Sequence, residues 1–138
     1  MWAEQCAEDL LSPLGARWLH SKAVGDKAAD VAERLALPER DVLVAAAYVH
    51  DIGYAPALAL TQFHPLDGGR HLRKLGQDRL AVLTAHHGGA VEEALLRVGG
   101  LVEALGEFQR VDSEIASLLD YCDLTVGPNG EGMARGER

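Results

Sequence analysis

The chain has 138 residues, a length that suits one domain with a single core, and 48% of them are hydrophobic. Its formal net charge is −8, which argues against nucleic acid as the main partner because nucleic-acid-binding domains are usually basic, although a small phosphorylated ligand is compatible with it. Two cysteines, no apolar run of transmembrane length and an acidic N-terminus (MWAEQCAEDL) predict a cytoplasmic protein that binds no membrane.

The apolar pattern predicts helices in every segment upstream of the C-terminal residues, and strand alternation is absent. Helices are expected from residue 13 or 20 to 35, over 38–51, 64–75, 78–87 and 113–124, with one or two short ones within 91–105. Ser12-Pro13 is a favourable helix start. The segment VLVAAAYV (42–49) is apolar on all sides, which indicates a central helix. We therefore predict an all-α bundle of six or seven helices, forming one domain over residues 1–126 with a flexible tail over 127–138.

Several histidines fall on the predicted buried faces of these helices. His20 lies on the same helix face as Val24, and His50 follows the central apolar helix. Asp123 borders the apolar stripe of the last helix, and His86 ends its own helix. A single inward histidine is usually bonded to a carbonyl, but one metal centre would satisfy all these groups together. We therefore predict a site for divalent ions of Fe, Mn, Co or Zn.

These residues resemble the H…HD…D pattern of the HD superfamily of metal-dependent phosphohydrolases. In this chain the pattern would be His20, the pair His50-Asp51 in AYVHDIGY, and Asp123 in DYCDLT. The resemblance covers about residues 12–126. It implies a compact helical domain whose ligands come from separate helices.

Members of the superfamily with two metals add two histidines between the HD pair and the last Asp. This chain offers His64 in FHPLDGGRHL and either His86 or His87 in LTAHHGG. We expect His86 to be the ligand and His87 to lie beside the ligands or at the surface. Asp51 would bridge the two ions, as the Asp of the pair does in such relatives. The ligands that the resemblance implies are thus His20, His50, Asp51, His64, His86 and Asp123.

The resemblance implies hydrolysis of a small phosphoester by a hydroxide that the metals activate. A nucleotide is a candidate, because HD hydrolases of dinucleoside polyphosphates have the same ligand order. GGAVEEA stands where cyclic di-GMP phosphodiesterases carry E-x-x-D-G-x-G-Y-P, which argues against that substrate. The candidate phosphate-binding cations near these ligands in sequence are Lys22, Lys27, Arg70, Arg73 and Lys74. Lys27 is preferred among them, since it lies near the direction of His20 on its helix. His71, on roughly the same side of its helix as His64, is expected to contact the leaving group; a packed or solvated His71 is the alternative.

Two other functions fit the same residues. HD-type mixed-valent di-iron oxygenases have the same six-ligand arrangement and cleave carbon–phosphorus or carbon–carbon bonds with O₂. A ligand-sensing HD domain without catalysis is the third interpretation, although such domains often lack ligands that this chain retains. Activity with Mn or Co in the absence of O₂ would favour hydrolysis over oxygenation.

Overall fold

The computed structural model describes residues 1–97, 99–110, 113–128 and 130–131, and the regular elements in this part of the chain are helical, as predicted. Eight α-helices are present there, because the N-terminal residues form a helix of their own. They are α1 (Trp2–Leu11), α2 (Ala16–Arg34), α3 (Arg40–Val49), α4 (His64–Lys74), α5 (Asp78–Ala85), α6 (Ala90–Leu95), α7 (Leu101–Leu105) and α8 (Glu114–Leu124). Short 3₁₀ segments occur at Ser12–Leu14, Ile52–Tyr54 and His87–Gly89.

Helix α3 is the central helix of the bundle, as its sequence predicts. It packs against α1, α2, α5 and α8. Leu43, Ala46, Ala47 and Val49 on this helix are completely buried. Each large apolar side chain buried in this way contributes roughly 1.5–3 kcal/mol. The helix therefore provides a rigid support for the polar residues that follow it.

Helices α2 and α3 approach each other closely at Gly25. A Cβ atom at this position would overlap the ring of Tyr48 on α3, so any larger residue would force the Tyr48 ring to move. The Tyr48 hydroxyl donates a hydrogen bond of 2.8 Å to Asp26 on α2. This contact fixes the position of α2, which carries His20, relative to the end of α3.

Helices α4 and α5 form a second closely packed pair. A Cβ on Gly68 would lie 3.1 Å from the Thr84 side chain, and one on Gly69 would lie 3.0 Å from the Cβ of Ala85. The small residues on α4 therefore allow the end of α5 to pack directly against it. As a result, the start of α4 and the end of α5 both lie beside the end of α3.

The chain termini and helix ends differ from the prediction in detail. Ser12 and Pro13 form a 3₁₀ turn without a side-chain cap, and α2 begins only after Gly15, which has φ 58°. Residues 127, 128, 130 and 131 of the predicted tail are described, whereas 129 and 132–138 lie outside the described residues. Across the described part of the chain, no helix combines the length and apolar character needed to cross a lipid bilayer.

Candidate metal centre

Five helix ends lie close together and carry imidazoles and carboxylates that are far apart in sequence. The helices are α2, α3, α4, α5 and α8. Residues His20, Asp51 and His87 are 5%, 4% and 6% exposed, and His50 is completely buried. We call the whole group the central cluster, and its members are His20, His50, Asp51, His64, His87 and Asp123.

Asp51 stands between two sets of histidines. Its Oδ2 lies 3.4 Å from Nε2 of His50 and 3.9 Å from Nε2 of His20. Its Oδ1 lies 3.3 Å from Nε2 of His64 and 3.5 Å from Nε2 of His87. The two oxygens of the Asp51 carboxylate therefore face different histidines.

Asp123 lies beside the two histidines that face Oδ2 of Asp51. Its Oδ1 lies 2.8 Å from Nε2 of His20 and 3.3 Å from Nε2 of His50. Ligand atoms of these three residues lie within 4.8 Å of one another, and so do those of His50, Asp51 and His87. Atoms that bind one ion at about 2.0–2.2 Å must be this close.

The orientation of three cluster histidines is set by the protein backbone. The Nδ1 atoms of His20, His50 and His87 each donate to a backbone carbonyl, so each imidazole directs Nε2 into the cluster. The accepting carbonyls belong to Gly127 (2.8 Å), Ala47 (2.6 Å) and Thr84 (2.6 Å). This pattern is the usual support of a metal-binding histidine, because it fixes both the tautomer and the ring.

A further observation indicates that the cluster fits a divalent metal ion. The Nε2 atom of His50 is fully buried and has no hydrogen-bond partner in the described structure. It lies 3.3 Å from Oδ1 of Asp123 and 3.4 Å from Oδ2 of Asp51, and a cation held between these atoms would give the buried nitrogen a partner. Imidazole nitrogens and carboxylate oxygens are also donors suited to Zn, Fe, Mn and Co.

The electrostatics of the cluster keep its carboxylates ionised. Burial would raise the pKa of Asp51, yet the surrounding imidazoles of His50, His64 and His87 hold it well below its usual range. The pKa of Asp123 is lowered in the same way by His20 and His50, against the effect of burial. Burial lowers the pKa of His64 and so favours its neutral form. These are the protonation states that metal ligands require.

The predicted assignment of the HH pair is wrong. His86 turns away from the cluster and its Nε2 donates a hydrogen bond of 2.7 Å to the carbonyl of Phe108. His87 faces inward, with its ring centroid 5.1 Å from that of His50 and 5.3 Å from that of His64. Helix α5 ends at Ala85, two residues before its predicted end, so the helical spacing does not extend to this pair.

The structure does not bring Lys27 or His71 to the cluster. The Lys27 ammonium lies 5.2 Å from the ring centroid of Tyr121 on α8, and His71 does not line the cleft over the cluster. Both predictions placed a residue two helical turns after a ligand on the same face. Seven residues, however, span about 10 Å along a helix axis, which moves the side chain away from the ligand. Cys122 is completely buried.

Two residues at the mouth of the cluster were not found by sequence reasoning. The Arg17 guanidinium lies 3.8 Å over the ring centroid of Tyr54, and the Tyr54 ring stacks on His64 with centroids 4.0 Å apart. Both line a cleft of about 200 Å³ that opens onto the cluster. The available signal was the spacing of three residues between Arg17 and His20, which puts the two side chains on one helix face about one turn apart.

Comparison with known proteins identifies one family. A model of the HD domain matches residues 17–125, a range that contains every member of the central cluster and begins at Arg17. No curated protein matches the chain, and no solved structure matches it.

Proposed function

We infer a function from the premise that this chain belongs to the HD-domain family. The proposed activity is that of a metal-dependent phosphohydrolase, with a small phosphoester as substrate and nucleotides among the candidates. The family supports the reaction class, and the donor set of the central cluster supports metal binding. The cleft of about 200 Å³ is suited to a phosphoryl group with little of the molecule attached to it.

One observation carries the proposal of two ions, namely that the two oxygens of Asp51 face different histidines. A single ion would leave one oxygen and its histidines without a role. We assign the residues to two groups that share Asp51, and we place His50, which also lies beside His87, in the first. The first group is His20, His50, Asp51 and Asp123, and the second is Asp51, His64 and His87.

Two divalent ions in these positions would supply Lewis-acid chemistry, lowering the pKa of water and offsetting the negative charge of the phosphoryl group. Asp51 ties the two positions together, and the backbone carbonyls behind the histidines prevent the rings from turning. Hydrolysis forms a bond between phosphorus and the oxygen of water and breaks the ester P–O bond. The departing oxygen takes up a proton. Charge develops at the open end of the cluster, where the cleft admits the substrate.

Metal analysis combined with a substrate screen tests this function. Protein purified without chelators should contain about two divalent ions per chain and hydrolyse at least one phosphoester or nucleotide, and a chelator should abolish the hydrolysis. Asp51→Ala should lose the ions and the activity together. Asp30→Ala removes a surface carboxylate whose ion-pair partner among the described residues is Arg34 on the same helix, and it is the matched control.

Three outcomes would contradict the proposal. Retention of both ions by Asp51→Ala would show that Asp51 does not bridge them. A mixed-valent EPR signal with O₂ uptake on a phosphonate or polyol would identify a di-iron oxygenase instead. A metal-loaded protein that hydrolyses nothing in a broad phosphoester panel would support a ligand-sensing domain.

A further inference from the structure

Arg17 occupies a prepared position at the mouth of the cleft. It lies in the first turn of α2, three residues before His20. Its guanidinium lies over one face of the Tyr54 ring, while His64 stacks on that ring with an angle of 16° between the planes. The guanidinium and the His64 ring both lie too close to the Tyr54 ring to share one of its faces, so the Tyr54 ring lies between them. The stack keeps the guanidinium at the edge of the central cluster without burying it.

Within the described structure, the charge of Arg17 is only weakly paired with a carboxylate. Its nearest carboxylate oxygen is Oδ2 of Asp51, at 3.7 Å, and its side chain remains 41% exposed. Arg70 shows the contrast, since it makes two hydrogen bonds to Glu107, one of 2.6 Å. A guanidinium has five N–H donors in a planar fork. Most donors of Arg17 therefore remain directed toward solvent and the cleft.

Apart from the proposed metal ions, the described part of the cleft has one protein cation that could bind the proposed substrate. Among the described residues that line it, Arg17 is the one lysine or arginine, and Glu93 and Asp123 add negative charge. Lys27, expected from the sequence to bind phosphate, lies beside Tyr121 instead. A doubly charged phosphoryl group would approach a protein of net charge −8. Arg17 is the group at the entrance that favours this approach.

We propose that Arg17 binds the phosphoryl oxygens of the substrate through its guanidinium fork and so positions the phosphorus over the central cluster. This inference rests on the proposed function. Arginine suits the task because its paired N–H groups match two phosphoryl oxygens. Tyr54 acts as a positioning residue that holds the guanidinium over its ring. The ester bond is cleaved at the cluster, so Arg17 contributes mainly to substrate binding.

Equilibrium binding of inorganic phosphate to the metal-loaded protein tests this role directly. Arg17→Gln should weaken phosphate binding by roughly 10- to 100-fold, the effect of losing charged hydrogen bonds. Arg17→Lys keeps the charge but not the fork, so its affinity should fall between those of Arg17→Gln and the unchanged protein. Arg34→Gln, which removes an exposed arginine from the other end of α2, should bind phosphate normally. Metal content and the unfolding midpoint should be the same in all four proteins.

Two results would overturn the inference. One is an Arg17→Gln protein with full metal content whose phosphate affinity is within twofold of the unchanged protein. The other is loss of the metal ions from Arg17→Gln, because Arg17 would then be a support for Asp51 rather than a substrate ligand. With p-nitrophenyl phosphate as substrate, Arg17→Gln should raise KM much more than it lowers kcat.

Failure of the hydrolase proposal would be recognised separately. If the metal-loaded protein binds phosphate in an Arg17-dependent way but hydrolyses no ester, the assignment of Arg17 stands and the hydrolase proposal fails. If it hydrolyses esters with the same KM after Arg17→Gln, the hydrolase proposal stands and the assignment of Arg17 fails.

Discussion

His50 is enclosed by protein, and its Nε2 atom faces the carboxylates of Asp51 and Asp123. Burial opposes a charge on this imidazole, but the two carboxylates outweigh burial and raise its pKa to about 9. In the metal-free protein His50 therefore carries a proton at pH 7. A metal ion binds only the neutral ring, so the proton must leave when the ion enters.

We expect metal binding at pH 7 to release protons, and metal affinity to increase as the pH rises toward 9. The sign follows from the raised pKa, since below this value each binding event must displace the proton of His50. Calorimetric titration in buffers of different ionisation enthalpy measures the released protons. Identical binding enthalpies in all buffers at pH 7 would contradict the expectation.

His86 and His87 offer a test within a single dipeptide. His87→Ala should remove the ion of the second position, because Nε2 of His87 faces Oδ1 of Asp51. His86→Ala should retain both ions, since Nε2 of His86 is bonded to the Phe108 carbonyl. Metal content per chain measures both variants. An equal loss of metal from the two proteins would show that the inward orientation of His87 does not determine binding.

At the scale of the elements, helical spacing predicted some site residues and misplaced others for identifiable reasons. His20 and His50 were found because each continues the buried face of a regular helix. His87 was misassigned because α5 ends at Ala85 and the backbone then turns through Gly88, with φ 63°. Each residue along a helix turns the direction of its side chain by about 100°. An error of two residues in the predicted end of a helix therefore changes which of two neighbouring side chains is expected to face inward.

The turn after α3 depends on the absence of a side chain at Gly53. A Cβ atom here would lie 2.0 Å from the carbonyl oxygen of His64 and 2.8 Å from the backbone nitrogen of Gly68. Both are backbone atoms of α4, so the clash cannot be relieved by turning a side chain. The glycine thus lets the end of α3 contact the start of α4, where His64 lies.

Gly53→Ala should destabilise the protein by about 1–3 kcal/mol, the usual cost of forcing an extra methyl group into a packed region. It should also weaken metal binding, because the added methyl group pushes His64 away from Asp51. Chemical denaturation and metal analysis measure the two effects. A variant with unchanged stability and full metal content would show that α4 can shift without disturbing the cluster.

At the scale of the whole molecule, the all-α fold and the central position of α3 could be predicted because both depend on local apolar patterns. The partners of Asp51 could be named only through a family pattern, since its contacts join residues from four different elements. Arg17 was missed because its position depends on the ring of Tyr54, 37 residues away. Such contacts are set by packing between helices and not by the spacing within one.

The proposed metal centre would couple metal binding to the stability of the bundle, because the residues of the central cluster come from α2, α4, α8 and the ends of α3 and α5. Removal of the ions with a chelator should lower the melting temperature on the order of 10 °C if the metal was present at a hundredfold excess over its Kd. Adding the ions back should restore it. In Asp51→Ala, both treatments should leave the melting temperature unchanged. A chelator-insensitive melting temperature in the unchanged protein would show that the bundle is stable without metal.

The hydrogen bond from His20 to the carbonyl of Gly127 joins residues 107 positions apart and lies directly behind a ligand. Asp123, the member of the central cluster nearest the C-terminus, is also hydrogen-bonded to His20. During synthesis on the ribosome, a nascent chain that has not yet released residue 127 from the exit tunnel lacks both. If the ions bind as proposed, the first position can therefore be complete only after residues 123 and 127 have left the tunnel and packed against α2.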